Sequence, residues 1–166
     1  MTGFPEPNHD HHGCIDTALN RAERLCRTAG ARLTESRRDI LRLVWASHAP
    51  IGAYELIDRL SQARGGVVAP PTVYRALDFL IAQGLVHKVV SRNAFIGCSR
   101  AETVSRHDAR LLICEGCGST AEIADSALED ALDAASRRHA FAMHGGTLEI
   151  AGFCPDCAAG KPGATP

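Results

Sequence analysis

No apolar run in this 166-residue chain approaches the ~18 residues that a bilayer-crossing helix needs, so a membrane protein is not expected. The start of the chain lacks the apolar segment of a secretory signal. Met1 to Gly13 is polar and rich in histidine, so a reducing, cytoplasmic setting is expected, where disulfides are rare. A phosphate-binding loop and an activated nucleophile are also missing, which argues against an enzyme and against a small-molecule substrate. Net charge is nearly absent, at −1. That balance hides an asymmetry: Gly13 to Arg92 carries 12 Lys/Arg against 7 Asp/Glu, and Ala101 to Pro166 carries 5 against 10. A basic first half suits a polyanion and an acidic second half suits cations, although two solvated surfaces would give the same count.

What the sequence does have is cysteine at a telling spacing. Cys114-Glu-Gly-Cys117 and Cys154-Pro-Asp-Cys157 each offer two thiols at the bite of a tetrahedral ion, and together they supply a closed, structural zinc site of four cysteines. A redox Cys-x-x-Cys normally occurs once, at a helix start, so two copies favour metal. Structural zinc contributes ~10–16 kcal/mol, whereas a whole domain is stable by only about 5–15 kcal/mol. The C-terminal part should therefore unfold without its ion.

Along the chain, Met1 to Gly13, with His9, His11 and His12, reads as a mobile tail. Helical spacing predicts a helix from Cys14 to Ala29, stopped by Gly30, with Cys26 beside its apolar stripe. A second helix is predicted from a Thr34 cap to about Ser47, with Arg37, Arg38 and Arg42 on a face that could grip phosphates. His48 to Gly52 reads as a turn and Ala53 to Ala63 as a third helix, broken by Gly65-Gly66. Pro71 can start a fourth helix, with Val73, Ala76, Leu77, Leu80 and Ile81 on one face and Tyr74, Arg75 and Asp78 on the other. Gly84 stops it, and the short runs Leu85 to Val90 and Ala94 to Cys98 form a hairpin turning at Arg92-Asn93.

Short helices followed by a hairpin describe a winged helix-turn-helix, whose last helix enters the major groove of double-stranded DNA. Tyr74 and Arg75 are placed to reach bases, and Thr72, Lys88 and Arg92 to fix register on phosphates. The alternative is that Tyr74 and Arg75 pack on a neighbouring helix. Beyond the hairpin, strands at Arg110 to Ile113, Thr120 to Ile123 and Thr147 to Phe153 and a helix from Ser126 to His139 make a small α/β domain. It has little apolar area of its own, so pairing with a second copy through its sheet is expected. The fold class is thus α+β. The expected division is a tail over 1–13, a winged-helix domain over 14–98, a hinge over 99–109, a dimerisation and metal-binding domain over 110–158 and a disordered tail over 159–166.

Arg32-Leu-Thr, Tyr54-Glu-Leu, Pro70-Pro-Thr-Val-Tyr-Arg-Ala-Leu-Asp-Phe-Leu, Gly84-Leu-Val-His-Lys-Val and the two knuckles, in this order, resemble the ferric uptake regulator family, and its zinc-sensing branch most of all. The resemblance implies a homodimeric repressor that binds a palindromic operator when zinc is plentiful and lets zinc-uptake genes be expressed when it is scarce. It also implies a second, regulatory zinc, and hence two ions per subunit. By the family's motif its ligands would be His87, Cys98, His107 and Glu122. Without the family, His87 would read as a half-exposed strand histidine and Glu122 as a surface acid. An iron- or peroxide-sensing repressor of the same family and a zinc carrier are the alternatives. The thiolate of Cys98 favours zinc over the harder ions, and a carrier would leave the winged helix unexplained. A third metal site is not expected, with His139 and His144 read as surface residues.

Overall fold

Apolar residues at helical spacing, punctuated by Gly and Pro, build four helices in the first half. The computed structural model describes Phe4 and residues 11–100, 108–144 and 146–160. Helix α1 spans His11–Thr28 and buries Ala18, Leu19, Ala22, Leu25 and Cys26. It begins three residues before the predicted Cys14, so the expected tail does not extend through His11, His12 and Gly13. The His11 ring lies 5.0 Å from that of His48, which gives the first turn a tertiary partner. Phe4 packs against the cysteine cluster, and the other residues of that predicted tail, His9 included, lie outside the described residues.

Helix α2 spans Glu35–Val44 and stops at Trp45 rather than Ser47. Thr34 holds the N-cap position with extended backbone, but its side chain makes no capping hydrogen bond. The arginines of α2 are engaged within the domain instead of presenting a free phosphate grip. Arg37 stacks 3.4 Å over the Phe79 ring, Arg38 pairs with Glu23, and Arg42 pairs with Asp39 at 3.2 Å. The predicted turn at 48–52 ends in a two-residue strand, β1 (Ile51–Gly52). Helix α3 (Ala53–Arg64) ends at Gly65, whose φ of +67° suits glycine. Helix α4 (Pro70–Ala82) starts with two prolines in its first turn, where missing N–H groups are harmless.

Strands β2 (Val86–Val89) and β3 (Ala94–Gly97) form the wing, joined by a 3-10 turn over Val90–Arg92 and by Asn93 at φ +46°. Both of its pairings are antiparallel: β2 aligns His87 with Ile96, and β1 aligns Ile51 with Phe95, giving sheet order β1-β3-β2. One core unites Leu19, Ile40, Leu56, Val73, Leu77 and Val86. Gly97 is fixed by packing, because a Cβ there would lie 2.3 Å from the Trp45 indole. Gly97→Ala is therefore expected to destabilise the domain by ~1–3 kcal/mol through overpacking, read as a melting temperature lower by several degrees; an unchanged melt would contradict this packing.

The second half contains β4 (Ala109–Cys114), β5 (Thr120–Glu122), α5 (Ser126–Arg138), β6 (Thr147–Gly152) and the single turn α6 (Pro155–Ala158). Strand β4 is central, antiparallel to β5 and parallel to β6, so the chain must cross over, and α5 lies in the crossover. Asp125 caps α5 by accepting from Ala127 N at 2.9 Å and Leu128 N at 3.2 Å. Buried Arg110 ties α5 to the sheet by donating to Glu129 at 2.9 Å. Even so, α5 buries none of its residues, and Ile150 and Phe153 are 40% and 64% exposed. The predicted C-terminal tail starts too early, since Ala159 and Gly160 continue the α6 turn through hydrogen bonds to Pro155 O and Cys157 O. Residues 161–166 and hinge residues 101–107 lie outside the described set.

The two halves touch at the wing and at the turn before β1. Val89 and Ile96 form an apolar cluster with Ala109, Leu111 and Ile113 of β4, and Thr120 N donates to His48 O at 2.9 Å.

Candidate metal centres

Two clusters of possible metal ligands form among the described residues. In the first, β4 delivers Cys114, a tight turn returns Cys117, and the end of β6 leads to Cys154 and Cys157 around the Pro155 turn. All four Sγ atoms lie within 4.8 Å of one another. A tetrahedron with Zn–S of about 2.3 Å has sulfur edges of about 3.8 Å, and Cys117 Sγ and Cys154 Sγ are 3.8 Å apart. Gly116 is required here, because a Cβ would lie 2.8 Å from Cys157 Sγ. Burial pushes the Cys114 thiol up, but the backbone amides of Cys154 and Cys117 outweigh it and bring it down to about 6. Burial and the three neighbouring sulfurs push Cys157 the other way. Four thiols packed this closely cannot all ionise without a cation, and a dication in their midst removes the conflict. The donor set therefore fits zinc.

The second cluster sits where the wing meets β5. His87 on β2, Cys98 just past β3 and Glu122 at the end of β5 place their ligand atoms within 4.8 Å of one another. The residue-only reading of His87 as half-exposed and of Glu122 as a surface acid is corrected: they are 8% and 9% exposed, packed against each other where β2 meets β5. His87 Nε2 lies 3.1 Å from Glu122 Oε1, and the Cys98 thiol lies 4.0 Å from the same oxygen. Ser99 donates to Glu122 Oε2 from both its amide and its hydroxyl, each at 2.9 Å. Burial pushes the Glu122 carboxyl up, but the His87 contact, and then Ser99, more than reverse this and hold it at about 2. Burial, followed by the Glu122 charge, pushes the Cys98 thiol up to about 12. One imidazole, one thiol and one carboxylate are a borderline-soft set suited to zinc. The fourth residue expected here, His107, lies outside the described residues.

A metal held by this cluster must displace the Cys98 proton. Below pH 12 that proton is bound, so affinity should rise with pH, about tenfold per unit. Competition titrations at pH 6.5 and 7.5 check this, and equal affinities would contradict it.

Of the residues expected at DNA, Tyr74 is 42% exposed on α4 and Arg75 and Lys88 are exposed, while Thr72 is half-buried. Neither Tyr74 nor Arg75 is buried against a neighbouring helix. Arg92 is exposed at the wing turn and donates through Nη2 to Cys114 O at 3.1 Å, which brings its guanidinium beside the first knuckle. Sequence reasoning missed Ser99, because nothing in its neighbourhood marks a serine as the partner of a carboxylate 23 residues away.

A winged helix packed against a small sheet domain, with one candidate ligand cluster at their junction and a four-cysteine cluster beyond it, defines a winged-helix protein with two candidate metal centres. The profile of the ferric uptake regulator family matches residues 28–151, and the chain belongs to that family. It is 37% identical over 139 residues to the zinc uptake regulation protein of Escherichia coli K12, covering 84% of this chain and 80% of that one. Among solved structures, a zinc uptake regulator complexed with zinc and DNA is 36% identical, covers 87% of this chain and 95% of its own, and gives a TM-score of 0.78. Holo XcZur, 41% identical and covering 86% and 98%, gives 0.76. Apo XcZur, also 41% identical and covering 87% and 97%, gives only 0.52.

Proposed function

We propose that this chain is a zinc-responsive transcriptional repressor. As a homodimer in the cytoplasm it binds a palindromic operator when loaded with zinc, represses zinc-uptake genes, and releases the operator when zinc is depleted. Each subunit takes two ions. Cys114, Cys117, Cys154 and Cys157 would hold the structural one. His87, Cys98 and Glu122, with His107 from the hinge, would hold the regulatory one. Bound there, the dication supplies charge that holds three separate chain segments together.

The observation that carries this reading is the convergence of His87, Cys98 and Glu122 from the wing and from β5. These side chains meet only when the wing lies against the C-terminal sheet, so an ion that binds them selects that arrangement over others. The likeness to holo XcZur, well above that to the apo form at equal identity, supports assigning the arrangement to the zinc-loaded state. Moving a two-state equilibrium from 1:99 to 99:1 takes about 5.5 kcal/mol of differential binding, a demand that the two regulatory ions of a dimer share. Tyr74 and Arg75 would read bases, with Thr72, Lys88 and Arg92 on phosphates, and the exposed face of α5 and β6 would be covered by the partner subunit. The carrier alternative leaves this convergence without a purpose.

The test is metal identity. Apo protein is offered zinc, iron(II) or manganese(II) and assayed by gel shift on a duplex selected from a random pool by the zinc-loaded protein. Restoration by zinc at the lowest free concentration supports the reading; equal or better restoration by iron would move the chain to the iron-sensing alternative.

A further inference from the structure

The wing is pinned to the C-terminal sheet at two edges, and only one of the pins is a metal cluster. On the β5 side, Glu122 meets His87, Cys98 and Ser99. On the opposite side of β4, Glu149 of β6 reaches the tip of the wing. Its Oε1 accepts from Val90 N at 2.5 Å and its Oε2 from Ser91 N at 3.0 Å, so one carboxylate captures both leading amides of the 3-10 turn. The last residue of that turn, Arg92, donates to the backbone carbonyl of Cys114. Between the pins, Val89 and Ile96 rest on Ala109, Leu111 and Ile113.

A single attachment leaves rotation about itself, whereas two attachments across a sheet fix an orientation. We propose that Glu149 is a positioning residue: with Arg92 it latches the wing turn onto β6 and β4, setting the orientation in which the His87, Cys98 and Glu122 cluster closes. Burial pushes the Glu149 carboxyl up, but the Ser91 and Val90 hydrogen bonds outweigh it and keep it below the usual carboxylate range, so the latch is charged at neutral pH. Hydrogen bonds to a charged acceptor are the stronger kind. Because the latch and the metal cluster favour the same arrangement, each strengthens the other by the same factor. This inference rests on the zinc-responsive reading above.

The test compares wild type, Glu149→Ala and Glu149→Gln as full chains, with zinc as the probe. The free-zinc midpoint for operator binding should move about tenfold upward in Glu149→Ala, with Glu149→Gln in between, since an amide keeps one acceptor oxygen. One zinc per subunit should survive mild chelation in all three. A purely structural role would lower the melting temperature and leave the midpoint in place; a wild-type midpoint in folded Glu149→Ala overturns the latch. If wild type itself shows no zinc response, the functional reading fails, and hydrogen–deuterium exchange at Val90 and Ser91 decides the latch separately. Exchange about tenfold or more faster in Glu149→Ala upholds the latch, and equal exchange overturns it.

Discussion

Cys114→Ser is expected to unfold the C-terminal domain and to abolish dimers. The domain has little else to rely on. Its sheet has three strands, α5 buries no residue, and the apolar contacts of β4 are made largely with the wing. Cys114 Sγ is also the local hub, accepting from Cys154 N at 3.3 Å and Cys117 N at 3.5 Å. Serine would leave those amides a poorer partner and a zinc site one thiolate short. Set against about 5–15 kcal/mol of total stability, loss of an ion that contributes ~10–16 kcal/mol cannot be absorbed. Metal analysis should find the structural zinc gone, light scattering should find no dimer, and circular dichroism should show reduced strand content. A folded, zinc-free dimer would contradict the structural role of the knuckles.

Cys98→Ser should have an equally large effect on DNA binding and almost none on folding. The thiol is 2% exposed and sits at the meeting point of wing and β5, where a hydroxyl of similar size can be accommodated. What serine cannot supply is a thiolate. Even disturbing a residue that only orients a metal ligand costs about 10–100-fold in affinity, so losing a ligand should weaken regulatory zinc by about 100-fold or more. Operator binding should then stop responding to zinc over the range that saturates wild type, while the melting curve and the structural zinc stay in place. A normal zinc response in this variant would remove Cys98 from the site.

Much of this architecture was legible in the residues. Pro71, Gly65, Gly84 and the apolar spacing of Val73, Ala76, Leu77 and Leu80 marked out α3, α4 and the wing, because those signals are local and have direct backbone causes. The Cys-x-x-Cys pairs announced their cluster for the same reason: the spacing is itself the geometry. The second cluster was legible only through family likeness, since its ligands come from separate segments and their burial arises from tertiary packing of wing on sheet. The same holds for Ser99, Glu149 and the turn of Arg92 toward Cys114, none of which has a local signature. Short elements failed for a related reason: β1 has two residues, and His11 to Gly13 became helical beside His48, a residue distant in sequence.

Everything turns on whether zinc at the wing controls the grip on DNA. Fluorescence anisotropy of a labelled operator should be followed at fixed protein while buffered free zinc is raised, with the structural zinc full throughout. The expected result is a saturable rise from weak to tight binding, reversed by chelator. A flat trace, with the operator bound or unbound regardless of free zinc, would contradict it.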